Sequence, residues 1–149
     1  MEFRNYRVKS PVKSFRDLEV YQKTIQLSDE ITNLPFLKDS VFEKDKEEIK
    51  PLAEKIPKLI AEAYGDKFDS KELAHKKLTE AVTLVTNAVT KIDLLRQRFA
   101  EDKVNKEILD ALLTRYQIQK IKVLNLRKAW DRVFTDYKQN EPGKSNWRK

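Results

Sequence analysis

Between residues 74 and 99 the apolar side chains Ala74, Leu78, Ala81, Val85, Ala88, Ile92, Leu95 and Phe99 alternate steps of four and three without a miss. That spacing matches the turn of an α-helix and cannot serve a strand, whose faces repeat every second residue. Seven such steps in succession predict a long, straight helix whose apolar stripe is a bundle seam. Ala, Val and Thr residues around the seam predict close approach of neighbouring helices rather than a cofactor cavity. Asp69 with Glu72 forms a capping pair at its start, so the helix is expected over about 70–99.

Three further helices follow from the same reasoning. Ser14 and Asp17 resemble a capping box, and the first helix is expected to run to about Leu34, where Pro35 stops it. Its apolar residues form two groups. Phe15, Leu18, Tyr21 and Ile25 share one face, while Val20, Leu27, Ile31 and Leu34 lie nearly opposite. A bundle helix needs one apolar stripe, so the second group points to contact between subunits. The second helix is expected over about 41–64, capped by Ser40 with Glu43, on the spacing Ile49, Leu52, Ile56, Leu59, Ala63. Pro51 is read as a first-turn residue, Pro57 as the site of a kink, and Gly65 as a left-handed C-cap. After the polar connection beginning at Ala100, a fourth helix is expected over about 104–138. Its main stripe is Leu109, Leu112, Leu113, Tyr116, Val123, Trp130 and Phe134, with Ile118 and Ile121 well off it. The chain thus predicts an all-α, antiparallel up-down four-helix bundle at residues 14–138. A flexible basic arm at 1–13 and a basic tail at 139–149 flank it. Val20, Leu27, Ile31, Ile118 and Ile121 are the expected subunit interface, because a monomer would leave too much apolar surface bare.

Composition agrees and excludes several functions. At 149 residues, 40% hydrophobic and 37% charged, the chain suits one helical domain with a heavily solvated exterior. It holds only two glycines, Gly65 and Gly143, too few for a strand-and-turn protein and too far apart for any phosphate-cradling or nucleophile-elbow motif. With no cysteine, disulfides, thiolate nucleophiles and Cys-ligated zinc are out of reach. The N-terminus lacks the apolar run of a signal peptide, and no apolar stretch approaches the roughly 20 residues that span a bilayer, so a cytoplasmic protein is expected.

Catalytic chemistry finds no purchase in the residues. His75, the only histidine, has Leu78 and Thr79 at the positions where a metal or acid–base partner on its own helix would stand. It is read as a partly exposed surface residue. Glu47/Glu48 and Glu101/Asp102 are neighbours that face apart on a helix and are expected to be solvated. No enzyme activity, metal, cofactor or small-molecule substrate is expected.

Charge placement carries the functional signal. The net charge of +7 splits into +4 over residues 1–16, −4 over 17–114 and +7 over 115–149. Basic ends on an acidic body suit a polyanionic partner. Arg115, Lys120, Lys122, Arg127, Lys128, Arg132 and Lys138 on the fourth helix, with Lys144, Arg148 and Lys149 of the tail, are the candidate nucleic-acid contacts. Scattered around a helix, they would hold phosphates without reading sequence, with affinity that falls as salt rises. Trp147 would either stack on an unpaired base or sit in a docked or disordered tail. Trp130 suits a core or an interface. Helices of this length leave no short recognition helix for helix-turn-helix readout, and no apolar face is spare for a membrane.

Two segments resemble a known family. Phe15-Arg-Asp-Leu-Glu-Val-Tyr-Gln-Lys-Thr24 is similar to the opening F-x-D-L-x-V-W/Y-Q-x-A of the bacterial four-helix-bundle proteins found within 23S rRNA intervening sequences. Ile56-Pro-Lys-Leu-Ile-Ala-Glu-Ala-Tyr-Gly65 is similar to that family's I-P-x-N-I-A-E-G, and Ser70-Lys-Glu-Leu73 to the start of its third helix. The likeness spans residues 14–130. Leu59 stands where the family has Asn and Ala63 where it has Gly, and the third helix lacks the usual Glu-rich signature, which leaves the branch of the family open. The resemblance implies a homopentamer without enzymatic activity. In the related accessory variability determinants of diversity-generating retroelements it implies binding to nucleic acid and to a reverse transcriptase. Two functions stay open from the residues: an oligomeric accessory protein that binds RNA or DNA, and a homo-oligomeric scaffold that meets an acidic protein.

Overall fold

The computed structural model describes the backbone of residues 14–139 and the side chains as far as Arg132. Four α-helices carry the fold: α1 (Glu19–Thr32), α2 (Glu43–Asp66), α3 (Lys71–Gln97) and α4 (Lys103–Gln139). Short 3-10 turns at Phe15–Asp17, Pro35–Lys38 and Ser40–Phe42 join them, and no strand occurs among the described residues. The expected all-α bundle is therefore what forms. The expected arm, the tail past Gln139 and Trp147 lie outside the described residues.

The α3 seam packs as its spacing predicts, with Ala74, Leu78, Ala81, Val85, Ala88, Ile92 and Leu95 all buried. It lies between α2 and α4, while α1 rests on α2 and touches α4 more sparsely. From α2 the core takes Ile49, Ala53, Ile56, Leu59, Ile60 and Ala63; from α4 it takes Leu109, Leu112, Tyr116 and Val123.

The first helix corrects the expected interface. Val20, Leu27 and Ile31 are 6%, 1% and 0% exposed within a single chain, so in this fold they belong to the core rather than to the surface. The inward stripe is Val20, Thr24, Leu27, Ile31 and Leu34, a four-three seam with a polar residue in it. Thr24 is buried without penalty because its hydroxyl donates to the Val20 carbonyl at 2.7 Å. Phe15 and Tyr21 pack edge-on at 4.9 Å at the margin, and Ile25 is left exposed.

Local signals shift by a residue or more. Ser14 and Asp17 do form a reciprocal capping box, but around a 3-10 turn, and α1 starts only at Glu19. Asp39, not Ser40, caps the turn before α2 by accepting from the Val41 amide at 3.0 Å. Ser70, not Asp69, caps α3 by accepting from the Leu73 amide at 3.1 Å. Both Pro51 and Pro57 lie inside α2, so Pro51 is no first-turn residue; the helix begins eight residues before it. Each ring removes one helical donor, and burial of Ile49, Ala53, Ile56 and Ile60 offsets that loss. Gly65 is not a left-handed cap either, since α2 continues through it to Asp66.

Charged links tie the helices at their rims. Asp45, near the start of α2, accepts from Lys91 and Arg98 near the end of α3, both at 2.8 Å. Lys77, early in α3, reaches Asp66 late in α2 at 2.8 Å. Arg96 meets Asp110 at 2.8 Å where α3 hands over to α4. The links between α2 and α3 thus run in opposite sequence directions.

Two outcomes are expected. A methyl at Gly65 would meet nothing within 4 Å, so Gly65→Ala should raise stability by about 0.5–1 kcal/mol in urea denaturation. Asp45 is buried, which pushes its carboxyl up, but hydrogen bonds from Lys91 and Arg98 together hold it below the usual aspartate range. Asp45→Asn should therefore cost about 2 kcal/mol near neutral pH. A depressed carboxyl stabilises above its unfolded value and loses that contribution as pH falls through the folded one. The gap between wild type and variant should accordingly close in strong acid.

Candidate nucleic-acid interface

Two neighbouring helices decide which cations of α4 are already engaged. α1 lies along one side of this helix and α3 along the other, which leaves an outward strip. Arg115 faces α1, where its guanidinium donates two bonds of 2.6 Å to the carboxylate of Glu30. These bonds hold the Glu30 carboxyl below its ordinary range and raise the guanidinium. Lys122, seven residues on, meets Glu19 at 3.1 Å on the same side. Toward α3, Arg127 donates to the Thr79 hydroxyl at 2.9 Å, and Lys120 is half-buried. Lys128 and Arg132 alone of the six face solvent with no ion pair among the described residues. The side chain of Lys138, and Lys144, Arg148 and Lys149, lie outside them.

The unengaged cations share their strip with the two off-stripe isoleucines. Ile118, Ile121, Asn125, Lys128 and Arg132 follow one another at three-four spacing and are all exposed. Ile118 and Ile121 leave 45% and 58% of their surface in solvent. One helical face is thus apolar in its first half and basic in its second. Sequence spacing alone showed cations scattered around the helix; the partners that sort them sit 85 and 103 residues away for Arg115 and Lys122.

Between α1 and α4 the seam opens into a shallow depression lined by Lys23, Leu27, Arg115, Ile118 and Gln119. Gln119 is 5% exposed and its carboxamide oxygen has no hydrogen-bond partner among the described residues; the same holds for the buried Tyr116 hydroxyl. Burial pushes the Tyr116 phenol well above its ordinary range, so it stays protonated.

His75 has a partner that inspection of its own helix missed. Its Nδ1 stands 2.9 Å from Asp131 Oδ2 on α4, and the pair links α3 to α4 one turn from the Thr79–Arg127 contact. Among the described residues no group of three or more His, Asp and Glu side chains is placed to hold a metal ion. No described helix is long and apolar enough to cross a membrane. Neither a family model, nor a curated protein, nor a solved structure matches this chain.

The Arg115–Glu30 link is well formed but half-exposed, and such pairs contribute about 0.2–1 kcal/mol. A double-mutant cycle of Arg115→Gln and Glu30→Gln in thermal denaturation should return a coupling in that range, shrinking in high salt. A coupling near zero would place this arginine among the cations open to a ligand.

Proposed function

We propose that the protein is a non-enzymatic, self-associating accessory protein that holds nucleic acid through its phosphates, without reading sequence. The outward strip of α4 is the observation that carries this: Ile118 and Ile121 serve contact between copies, and Lys128 and Arg132 meet the polyanion. Bare isoleucines on an otherwise charged helix are costly for a monomer and useful in an assembly. Cations without an internal partner are available to phosphates, whereas Arg115, Lys122 and Arg127 are already engaged. In an assembly the pair is repeated with each copy, and the summed field grows accordingly.

The resemblance to the intervening-sequence bundle proteins supports the same proposal and extends it. It favours five copies in a ring of up-down bundles, RNA or an RNA/DNA hybrid as ligand, a reverse transcriptase as protein partner, and a cytoplasmic setting. A scaffold that meets an acidic protein through Lys128 and Arg132 is the competing function, and the salt response separates the two.

Fluorescence anisotropy with labelled RNA and DNA across a salt series, on protein whose solution mass is measured alongside, tests the proposal. Affinity should fall steeply with salt, and the double variant Lys128→Gln/Arg132→Gln should bind more weakly with a shallower slope, by about one unit per lost phosphate contact. Ile118→Gln/Ile121→Gln should lower the solution mass to that of one chain and leave the thermal midpoint of the fold near wild type, because neither side chain is in the core. Wild-type protein that binds no nucleic acid at low salt would give the acidic-partner scaffold the lead.

A further inference from the structure

Among the described residues two clusters of three aromatic rings each carry a cation, and they differ in exposure and in the partner of that cation. Where α3 ends, Phe36, Phe42 and Phe99 pack with centroids 4.7 to 5.6 Å apart, and Arg98 lies 4.6 Å over Phe42. All three rings are half-buried, and the Arg98 charge is taken by Asp45 at 2.8 Å. That cluster is closed. Where α2 turns into α3, Tyr64, Phe68 and Trp130 of α4 gather around Lys67, whose Nζ lies 5.1, 4.8 and 5.2 Å from the three ring centres. Here Phe68 keeps 68% of its surface in solvent, and Lys67 has no ion pair among the described residues.

Resting on the nucleic-acid function proposed above, we propose that Phe68 is a stacking platform for one base of a single-stranded nucleic acid, with Lys67 beside it to meet the adjoining phosphate. A base offers a flat π-face that an exposed ring can cover whatever its identity, which suits binding without sequence readout. An ammonium held against the rings puts positive charge at the edge of the platform. The carboxylate of Asp66 is engaged by Lys77, and exposed Asp69 lies two residues from Lys67 in the chain, so the net charge of this turn is small. Stacking rather than net charge is therefore the main contribution of this site. Trp130 stands two residues from both Lys128 and Arg132, about 3 Å along the axis of α4 but on the opposite side of that helix, so the platform and the unengaged cations share a level of the bundle and not a face. A duplex keeps its base faces to itself and would gain nothing from Phe68.

The test is anisotropy with oligouridylate and with an RNA duplex of equal length, on the full chain carrying Phe68→Ala or Phe68→Tyr, each across a salt series. Phe68→Ala should weaken oligouridylate binding roughly tenfold to a hundredfold, leave the salt slope unchanged and leave duplex binding alone. Phe68→Tyr, which keeps the ring, should bind as wild type does. An unchanged thermal midpoint for both variants would exclude misfolding as the cause. Equal oligouridylate affinity for wild type and Phe68→Ala would overturn the platform, as would equal losses for single strand and duplex, and in both cases phosphate binding by α4 would survive. Binding of neither RNA by wild type would overturn the platform and the proposed function together; Phe68 would then be an anchor for a protein partner.

Discussion

Everything else in the bundle depends on how closely its neighbours can approach α3. Ala74, Ala81 and Ala88 alternate along its seam with Leu78, Val85 and Ile92, so short side chains let the backbones of α2 and α4 come near while branched ones fill the remaining space. With both flanks of α3 used in this way, α4 is pinned on that side, and α1 then covers another of its sides. What remains is one outward flank, of which the strip from Ile118 to Arg132 is the later part. The surface proposed for function is thus a residue of packing: it is the only flank of α4 that no helix of the same chain covers among the described residues.

Legibility of the sequence varied with the range of the interaction. The α3 seam could be read as far as Leu95, because a helix periodicity needs only neighbours within the helix, whereas Phe99 falls in the turn beyond it. On α1 the same rule misled, since Thr24 occupies a core position and breaks the apolar count. Its hydroxyl, turned back onto the Val20 carbonyl, makes it an acceptable core residue, and counting apolar letters gives no weight to that. Caps slipped by one residue at Asp39 and Ser70 because adjacent residues can each accept from an amide, and only the backbone path chooses between them. Gly65 looked like a terminator, yet the helix runs one residue further, to Asp66.

The candidate site was legible as a list and illegible as a surface. Ten cations were identified on the fourth helix and tail, but which are spent inside the molecule depends on Glu19, Glu30 and Thr79 on other helices. The His75–Asp131 contact was hidden for the same reason, as its members are 56 residues apart. Ile118 and Ile121 could be picked out because exclusion from a helix's own main stripe is a local property. Phe68 gave no signal at all: an aromatic residue in a turn is expected to pack, and only its 68% exposure beside Lys67 singles it out.

Lysine reactivity reports, without altering the protein, whether the outward strip of α4 is the face that meets a polyanion. Acylation of the free and RNA-bound chain, followed by mass spectrometry of peptides, reports each lysine separately. RNA should protect Lys128 strongly and leave Lys55, which pairs with Glu80 across α2 and α3, reacting as before. Protection of Lys122 with Lys128 still fully reactive would contradict it, and would move the interface to the seam between α1 and α4.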